Sequence, residues 1–138
     1  MSKSIRYVGW TEFSYLVHCL GEKIRDSNKE YDVIYGIPRG GLIPSVMLSH
    51  VLETPIIHSI KSKFERRFNK ILVLDDIVDS GKTLSECYDQ YDTATVFLKR
   101  SCQIIPTYYI EEGLIPDDEW IMFPWEVTTH DPISKVNL

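Results

Sequence analysis

A run of four apolar residues followed at once by two aspartates, near the middle of the chain, constrains the fold more than any other feature. The run is Ile-Leu-Val-Leu at residues 71–74, a length and composition typical of a strand that is covered on both faces of a sheet. Asp75 and Asp76 follow, and a short polar loop at residues 79–83 comes where a helix is predicted to begin. Free N–H groups at a helix N-terminus attract phosphate, and carboxylates beside them can hold sugar hydroxyls or a divalent cation. The stretch therefore indicates a site for phosphate, sugar and metal.

Predicted strands and helices alternate from residue 31 onward. We predict strands at residues 31–36, 55–60, 71–74, 93–98 and 104–110, and helices at residues 11–24, 42–52 and 81–91. Thr11 is the predicted N-cap of the first helix. Such alternation is typical of an α/β fold with a mainly parallel twisted sheet flanked by helices. In these sheets ligands bind outside the C-terminal ends of the strands. The loops at residues 38–41 and 75–83 both fall at such ends, which strengthens the functional interpretation of each.

Composition limits the class of protein. At 138 residues, the chain is expected to form one domain spanning residues 1–138. A net charge of −5 argues weakly against a general nucleic-acid binder, so we expect no nucleic-acid partner. Three cysteines without a CxxC motif suggest neither a disulfide framework nor a zinc site. We see no signal peptide and no apolar run of membrane length, and we expect a cytoplasmic protein without a membrane span.

Two other phosphate-binding or acidic motifs share parts of the central pattern. Gly81-Lys82-Thr83 would end a P-loop, but that motif needs a glycine where Asp76 stands, and the Asp76 carboxylate would repel the phosphates. Response-regulator receivers also carry paired carboxylates after a strand, yet only 62 residues follow Asp76, too few for the rest of that fold. Asp75 and Asp76 could also be ordinary charged residues at the end of a strand, and Ser80 an ordinary helix cap worth about 1 kcal/mol. This interpretation explains each residue alone but not the whole string.

The whole string resembles the phosphoribosyl-pyrophosphate motif of type I phosphoribosyltransferases. That motif is an apolar strand, two acidic residues, two apolar residues and Asp-Ser/Thr-Gly-x-Thr, and residues 71–83 fill every position. Residues 37–42, Ile-Pro-Arg-Gly-Gly-Leu, resemble the pyrophosphate loop of the family. Residues 95–99 and 116–126 are similar to the purine-site strand and the C-terminal segment of bacterial xanthine–guanine (6-oxopurine) phosphoribosyltransferases. The resemblance implies a type I phosphoribosyltransferase-like fold in which residues 111–138 form a small base-binding hood.

The resemblance also implies a reaction and assigns roles in it to the central motif. A purine nitrogen displaces pyrophosphate from C1′ of phosphoribosyl pyrophosphate, with guanine, xanthine or hypoxanthine as the base and a nucleoside monophosphate as the product. Asp75 and Asp76 accept hydrogen bonds from the ribose hydroxyls and reach Mg²⁺, Asp76 being the better match for a direct ligand. Asp79 matches the general base. The residues implied to hold the 5′-phosphate are Asp79, Ser80, Gly81, Lys82 and Thr83.

Further roles fall outside the central motif. Arg39 is implied to clamp the pyrophosphate with the N–H groups of Gly40 and Gly41, because glycine lets several amides aim at one anion. By family analogy the peptide bond between Pro38 and Arg39 is strained or cis.

The base is implied to be held by three residues of the later strands. Lys99 is expected to donate to the 6-oxo group, Trp120 to stack on the purine, and the backbone of Ile121 to read the edge of the base.

Some features leave alternatives open. Residues 61–70 are strongly basic and stand where the family carries its mobile catalytic loop, but they are fewer than in the xanthine–guanine enzymes. The family implies a homo-oligomer, a dimer or tetramer, and this shortening puts part of that interface in question. The same fold could serve another base, against which Trp120 and the segment around it argue. A non-catalytic regulator that binds phosphoribosyl pyrophosphate is the second alternative, and the acidic net charge argues against an RNA-binding form of it.

Overall fold

A computed structural model describes residues 4–60, 68 and 70–126. Its larger sheet contains five strands, which are β2 (Val33–Gly36), β3 (Ile56–Ile57), β4 (Ile71–Val78), β5 (Asp92–Lys99) and β6 (Leu114–Ile115). Their spatial order is β3-β2-β4-β5-β6, and every neighbouring pair is parallel. The predicted parallel α/β sheet is therefore confirmed.

The described residues form three α-helices, α1 (Trp10–Asp26), α2 (Leu42–Leu52) and α3 (Lys82–Cys87). Helix α1 precedes β2, whereas α2 and α3 connect strands of the larger sheet. Helices α1 and α2 pack on each other and on one face of the sheet, while Leu84 of α3 belongs to the apolar cluster of the other face. The central strand β4 contributes to the apolar clusters on both faces of the sheet. Leu72 and Leu74 belong to one cluster, and Ile71 and Val73 belong to the other. This burial on both faces explains the unbroken apolar run at the start of β4. Within the described part of the chain, no helix is long and apolar enough to cross a membrane.

A separate two-stranded sheet joins the two ends of the described chain. Strand β1 (Ser4–Tyr7) pairs in parallel with β7 (Glu119–Met122), and Ile5 stands opposite Trp120 in the register. Arg6 and Ile121, the next pair, lie on the opposite face, where Ile121 is buried and the Arg6 guanidinium sits 5.8 Å from the Phe97 ring centroid. The predicted hood thus includes an N-terminal strand that the sequence did not indicate. Residues 127–138 of the hood lie outside the described residues.

Strand β4 is longer than predicted. The prediction ended it at residue 74, but β5 stays paired with it through Asp75, which faces Thr95, and on to Val78, which faces Leu98. The two carboxylates therefore belong to the strand itself, where the rigidity of the sheet holds them.

The predicted strand at residues 104–110 is wrong. Pro106 has no N–H to give to a ladder, and the segment contributes only an isolated bridge between Tyr108 and Ala94. Ile105 stays exposed, which shows that β-branched composition alone did not predict pairing here.

The remaining differences concern element ends. Helix α1 begins one residue before Thr11, with Gly9 at the N-cap, so the predicted Thr11 cap is wrong. The helix predicted at residues 81–91 ends at Cys87 and the strand predicted at residues 55–60 is only Ile56–Ile57, whereas α2 matches its prediction at both ends.

Candidate active site

A cleft of about 870 Å³ opens at the C-terminal edge of the larger sheet. It brings together the loop after β2, the aspartates of β4 and the first turn of α3, which sequence analysis had marked separately. The lining residues with predicted roles are Arg39, Gly40, Asp75, Asp76 and Thr83. Because they come from a loop, a strand and a helix that are separate in the sequence, only the fold brings them together.

The loop after β2 packs directly onto the second aspartate. A Cβ added to Gly40 would lie 2.2 Å from Oδ2 of Asp76, a distance that no real Cβ contact allows. The loop is anchored to β4 by the Ile37 amide, which donates to the Leu74 carbonyl at 2.9 Å, and it closes on itself where the Gly41 amide donates to the Ile37 carbonyl at 2.8 Å. Only glycine at position 40 permits this approach.

The same loop contains an unusual peptide bond. The bond between Pro38 and Arg39 is cis, one of the two conformations that the family resemblance implied. Arg39 is exposed and lines the cleft.

The two aspartates form a tightly coupled pair. The Asp76 amide donates to Oδ1 of Asp75 at 2.9 Å, and the Ile77 amide donates to Oδ1 of Asp76 at 2.8 Å. Burial raises the pKa of Asp75 to about 8, helped by a hydrogen bond from the Asp76 side chain and by its charge. Burial also raises the pKa of Asp76. Near neutral pH the pair therefore tends to hold a proton that a bound cation would displace.

The carboxylate pair fits magnesium better than a metal held by protein ligands alone. Among residues 4–60, 68 and 70–126, no group of three or more His, Cys, Asp or Glu side chains could hold a metal ion. Mg²⁺ commonly takes one or two carboxylates and completes its shell with water and substrate oxygens. Asp75 and Asp76 can supply that minimal set.

The predicted phosphate loop runs from the end of β4 into α3. Gly81 adopts a φ of +83° as the N-cap of α3, and a Cβ there would lie 2.3 Å from the Ile104 side chain. Ser80 Oγ accepts a hydrogen bond from the Lys82 amide at 3.3 Å. Thr83 lines the cleft, and like Asp79, Ser80 and Lys82 it is exposed to solvent.

The backbone of Ile121 faces away from β1. The Ser4 amide donates to the Asp118 carbonyl and the Val8 amide to the Met122 carbonyl, at 3.0 Å each. Since bonding residues alternate along a parallel pair, the N–H and C=O of Ile121 point to the other edge of β7. That edge offers one donor and one acceptor side by side.

Lys99, at the end of β5, reaches the same edge of β7. Its side chain is buried, with the residue 3% exposed, and its ammonium group donates to the carbonyl of Asp117 at 3.1 Å and to that of Glu119. Trp120, the next residue along, is 46% exposed. The direct contact of Lys99 with a base stays a prediction, but its neighbours in the fold are backbone carbonyls.

Comparisons with known proteins show which family the chain belongs to. No family model matches the chain. The xanthine-guanine phosphoribosyltransferase of Cereibacter sphaeroides is 31% identical to it, and the match covers 72% of this chain and 72% of that protein. The chain belongs to the type I phosphoribosyltransferase family.

Solved structures share the fold of this phosphoribosyltransferase. A purine phosphoribosyltransferase from Pyrococcus horikoshii matches 90% of this chain and 95% of its own, with a TM-score of 0.71 and 28% identity. The xanthine-guanine-hypoxanthine phosphoribosyltransferase of Helicobacter pylori covers 89% and 94% of the two chains with a TM-score of 0.73, and at 22% identity it supports the fold alone.

Two residues that follow β7, Trp125 and Glu126, also line the cleft of the phosphoribosyltransferase, and no binding role was predicted for either. Trp125 stacks on Phe123, with ring centroids 4.7 Å apart, and lines the cleft beside Glu126. The Glu126 carboxylate accepts a hydrogen bond from the Phe123 amide at 2.9 Å. Glu126 ends the segment 116–126 that resembles the family, but its place in the cleft could not be predicted because it depends on the turn that follows β7.

Proposed function

We propose that this phosphoribosyltransferase moves the 5-phosphoribosyl group of phosphoribosyl pyrophosphate to a 6-oxopurine, which is guanine, xanthine or hypoxanthine. The observation that carries the proposal is the contact between the Gly40 loop and the Asp75–Asp76 pair in one cleft. An anion-binding loop laid against two carboxylates suits a substrate that carries both a pyrophosphate and a ribose diol. The name of the 31% identical relative supports xanthine or guanine as the acceptor.

The substrate would lie along the C-terminal edge of the larger sheet. Arg39 and the amides of Gly40 and Gly41 would hold the pyrophosphate, while Asp75 and Asp76 would accept hydrogen bonds from the ribose hydroxyls. The loop after β4 would hold the 5′-phosphate through the residues Asp79, Ser80, Gly81, Lys82 and Thr83. This arrangement leaves C1′ between the pyrophosphate loop and the hood.

Magnesium is the cofactor that we propose. Bound at Asp76 and Asp75, it would neutralise charge that develops on the departing pyrophosphate oxygens. The raised pKa of Asp75 means that the free pair carries a proton near pH 7, so cation binding should release protons to the solvent.

The transfer step breaks the bond between C1′ and the pyrophosphate oxygen and forms a bond between C1′ and a purine nitrogen. The electron pair of the broken bond leaves with pyrophosphate, and the proton of the purine nitrogen passes to the Asp79 carboxylate. The ribose ring carries positive charge in the transition state, so alignment and the carboxylates of β4 contribute most of the stabilisation.

The hood would hold the base. Trp120 would stack on the purine, a contact worth about 1–3 kcal/mol per base. The N–H and C=O of Ile121 would read the base edge, where a 6-oxopurine places an N–H donor next to an acceptor oxygen. Lys99 reaches the same edge of β7 and is the third residue of the proposed base site.

The test is a panel of bases. The protein is incubated with phosphoribosyl pyrophosphate, Mg²⁺ and each of guanine, xanthine, hypoxanthine, adenine and uracil, and pyrophosphate release is recorded. We expect release with at least one 6-oxopurine and none with uracil. Binding of phosphoribosyl pyrophosphate without release for any base would identify a regulator instead of an enzyme.

A further inference from the structure

Arg6 of β1 lies where the hood meets the rest of the molecule, and its guanidinium contacts three other elements. Its Nη2 donates to Oε2 of Glu12, in the first turn of α1, at 2.8 Å. Its Nη1 lies 3.7 Å from Oε1 of Glu119, the first residue of β7. Its Cζ is 5.8 Å from the ring centroid of Phe97, a fully buried residue of β5. One side chain thus links the hood to a helix and to the larger sheet.

The Glu119 carboxylate depends on Arg6 for its countercharge. Its Oε1 is buried, and no described residue donates a hydrogen bond to it. Among the described side chains, Arg6 is the one that pairs with it as a cation. A charge taken out of water is costly unless it is paired. Removing the guanidinium would therefore leave a buried oxygen without a countercharge at the residue that precedes Trp120.

The shape of the Arg6 guanidinium lets one side chain serve two carboxylates. Arginine carries its donors in a rigid planar fork, whereas a lysine ammonium is a compact point charge. Glu12 accepts from one nitrogen of the fork, and Glu119 lies beside the other. Glu12 is held in turn by the first turn of a helix, where the helix dipole favours a carboxylate. The start of β7 is therefore connected to α1 through Arg6.

The strand pairing of the hood makes this connection important for the base site. Within the described part of the chain, β7 forms a ladder with β1 alone, and a two-stranded sheet is marginally stable by itself. Apolar contacts of Ile121 and Phe123 hold the hood on the core, but such contacts are not directional. The ion pair at Glu119 is directional, and it stands next to Trp120 and Ile121, the residues of β7 expected to hold the purine.

We propose that Arg6 is a positioning residue for the purine, because its ion pair with Glu119 fixes the base-reading edge of β7 against α1 and the larger sheet. The inference rests on the proposed purine site. Arg6 does not itself touch the base, since it stands beside Ile121 on the β1 side of β7, whereas the free N–H and C=O of Ile121 point to the other edge. It therefore affects affinity for every purine and leaves the phosphoribosyl site on the larger sheet unchanged.

The first test needs no turnover. Arg6→Met keeps the apolar stem of the side chain and removes its charge, and Arg25→Met is the matched control, since Arg25 pairs with Glu22 at 2.7 Å on α1, outside the hood. Hydrogen exchange of the free proteins is followed by mass spectrometry in peptides covering residues 116–123 and, as reference, β4. We expect exchange in residues 116–123 to quicken about fivefold or more in Arg6→Met, with β4 unchanged and Arg25→Met like the parent. Unchanged exchange in residues 116–123 overturns the proposal.

The second test measures whether the effect is confined to the base. In Arg6→Met the KM for the 6-oxopurine that the parent uses best should rise about tenfold, while kcat and the KM for phosphoribosyl pyrophosphate stay within about threefold of the parent. Arg25→Met should match the parent in all three quantities. An unchanged purine KM in Arg6→Met, or an equal rise in the KM of both substrates, overturns the proposal.

A double variant tests whether Arg6 acts through Glu119. Glu119→Gln keeps the size of the side chain and removes its charge, so we expect it to raise the purine KM about threefold or more. Effects of two residues that act as one pair are not additive, so Arg6→Met combined with Glu119→Gln should have a purine KM within about twofold of that of Arg6→Met. A parent-like KM for Glu119→Gln overturns the proposal, and so does a double variant in which the two single effects multiply.

Two further outcomes are kept distinct. If Arg6→Met does not fold, Glu119→Gln alone removes the ion pair, and the same faster exchange in residues 116–123 and higher purine KM are expected. Parent-like exchange and KM in Glu119→Gln would then overturn the proposal. If the parent transfers to no base, the proposed function fails, while hydrogen exchange still decides whether Arg6 holds the hood.

Discussion

Two adjacent carboxyl groups, partly buried at the end of a strand, make the stability of this protein depend on pH. The pKa of Asp75 lies at about 8 in the folded chain, against an ordinary value of 3.8. Between these values the folded state binds more protons than the unfolded state, so stability falls as pH rises from about 4 to about 8. Ionisation of the buried pair thus lowers the stability of the folded chain, and a bound cation would offset this loss.

Asp75→Asn should restore much of the stability that the folded chain loses at high pH. The variant and the parent should melt at similar temperatures at pH 4.5, whereas at pH 8 the variant should melt at least about 3 °C higher. Differential scanning calorimetry without divalent cations measures this, and Asp89→Asn at an exposed site serves as the control. A parent-like melting temperature for Asp75→Asn at pH 8 would show that charge on the buried pair does not destabilise the fold.

Asp79 tests the chemical step at the same scale. Asp79→Asn keeps the size of the side chain and one acceptor oxygen but removes the carboxylate that we propose accepts the purine proton. We expect kcat to fall about 100-fold or more, with KM values for both substrates within about threefold of the parent. Steady-state kinetics with saturating phosphoribosyl pyrophosphate would decide it. A parent-like kcat would remove Asp79 from the mechanism.

At the scale of elements, the close packing of the loop at residues 37–41 on β4 is a feature that is sensitive to a single methyl group. Gly40→Ala places a Cβ 2.2 Å from the Asp76 carboxylate, whereas Gly9→Ala meets no atom within 4 Å. Forcing extra atoms into packed contacts costs about 1–3 kcal/mol, so affinity for phosphoribosyl pyrophosphate should fall about tenfold or more in Gly40→Ala. Isothermal titration calorimetry of both variants provides the comparison. Equal affinities would mean that the loop does not need its contact with Asp76.

Sequence reasoning succeeded for elements that signal locally. Helix α2 was predicted at both ends, and the apolar start of β4 was recognised because burial on both faces leaves an unbroken run. It missed β1, since Ser4–Tyr7 is short and its partner β7 lies more than a hundred residues away. It also continued a strand through Pro106, where tertiary context left the backbone unpaired.

In the candidate site, too, local sequence signals could be recognised, whereas properties that depend on the fold could not. The chemistry that the residue types indicate for the loops at residues 37–41 and 79–83 stays a prediction, whereas the fold brings Arg39, Gly40, Asp76 and Thr83 to one cleft. Two properties could not be predicted. The burial that raises the pKa of Asp75 depends on β4 continuing past it, and the partners of Lys99 depend on where the hood settles.

At the scale of the whole molecule, helix α2 is apolar on both its inner and outer sides. Its polar residues are only Ser45, Ser49 and His50, and Leu42 and Val46 on the outer side are 43% and 44% exposed. A helix that is apolar all round is normally buried. We therefore expect a second copy of the chain to cover this side, in line with the homo-oligomer that the family implies.

Val46→Asp should weaken that association. The parent should have the mass of a dimer or larger assembly by light scattering, and the variant should shift toward the 16.1 kDa of one chain. Tyr15→Asp, at a residue that is 60% exposed on α1, should keep the parent mass. A parent that runs as a monomer at micromolar concentration would contradict an interface at α2.

The central claim is that the cleft formed by the Gly40 loop and the Asp75–Asp76 pair transfers a phosphoribosyl group to a 6-oxopurine. The most direct measurement is ³¹P NMR of phosphoribosyl pyrophosphate, Mg²⁺ and guanine with the parent and with a double variant, Asp75→Asn and Asp76→Asn. We expect the parent to convert the substrate signals into those of pyrophosphate and a nucleoside monophosphate, and we expect the double variant to leave them unchanged. Unchanged substrate signals with the parent for guanine, xanthine and hypoxanthine alike would contradict it.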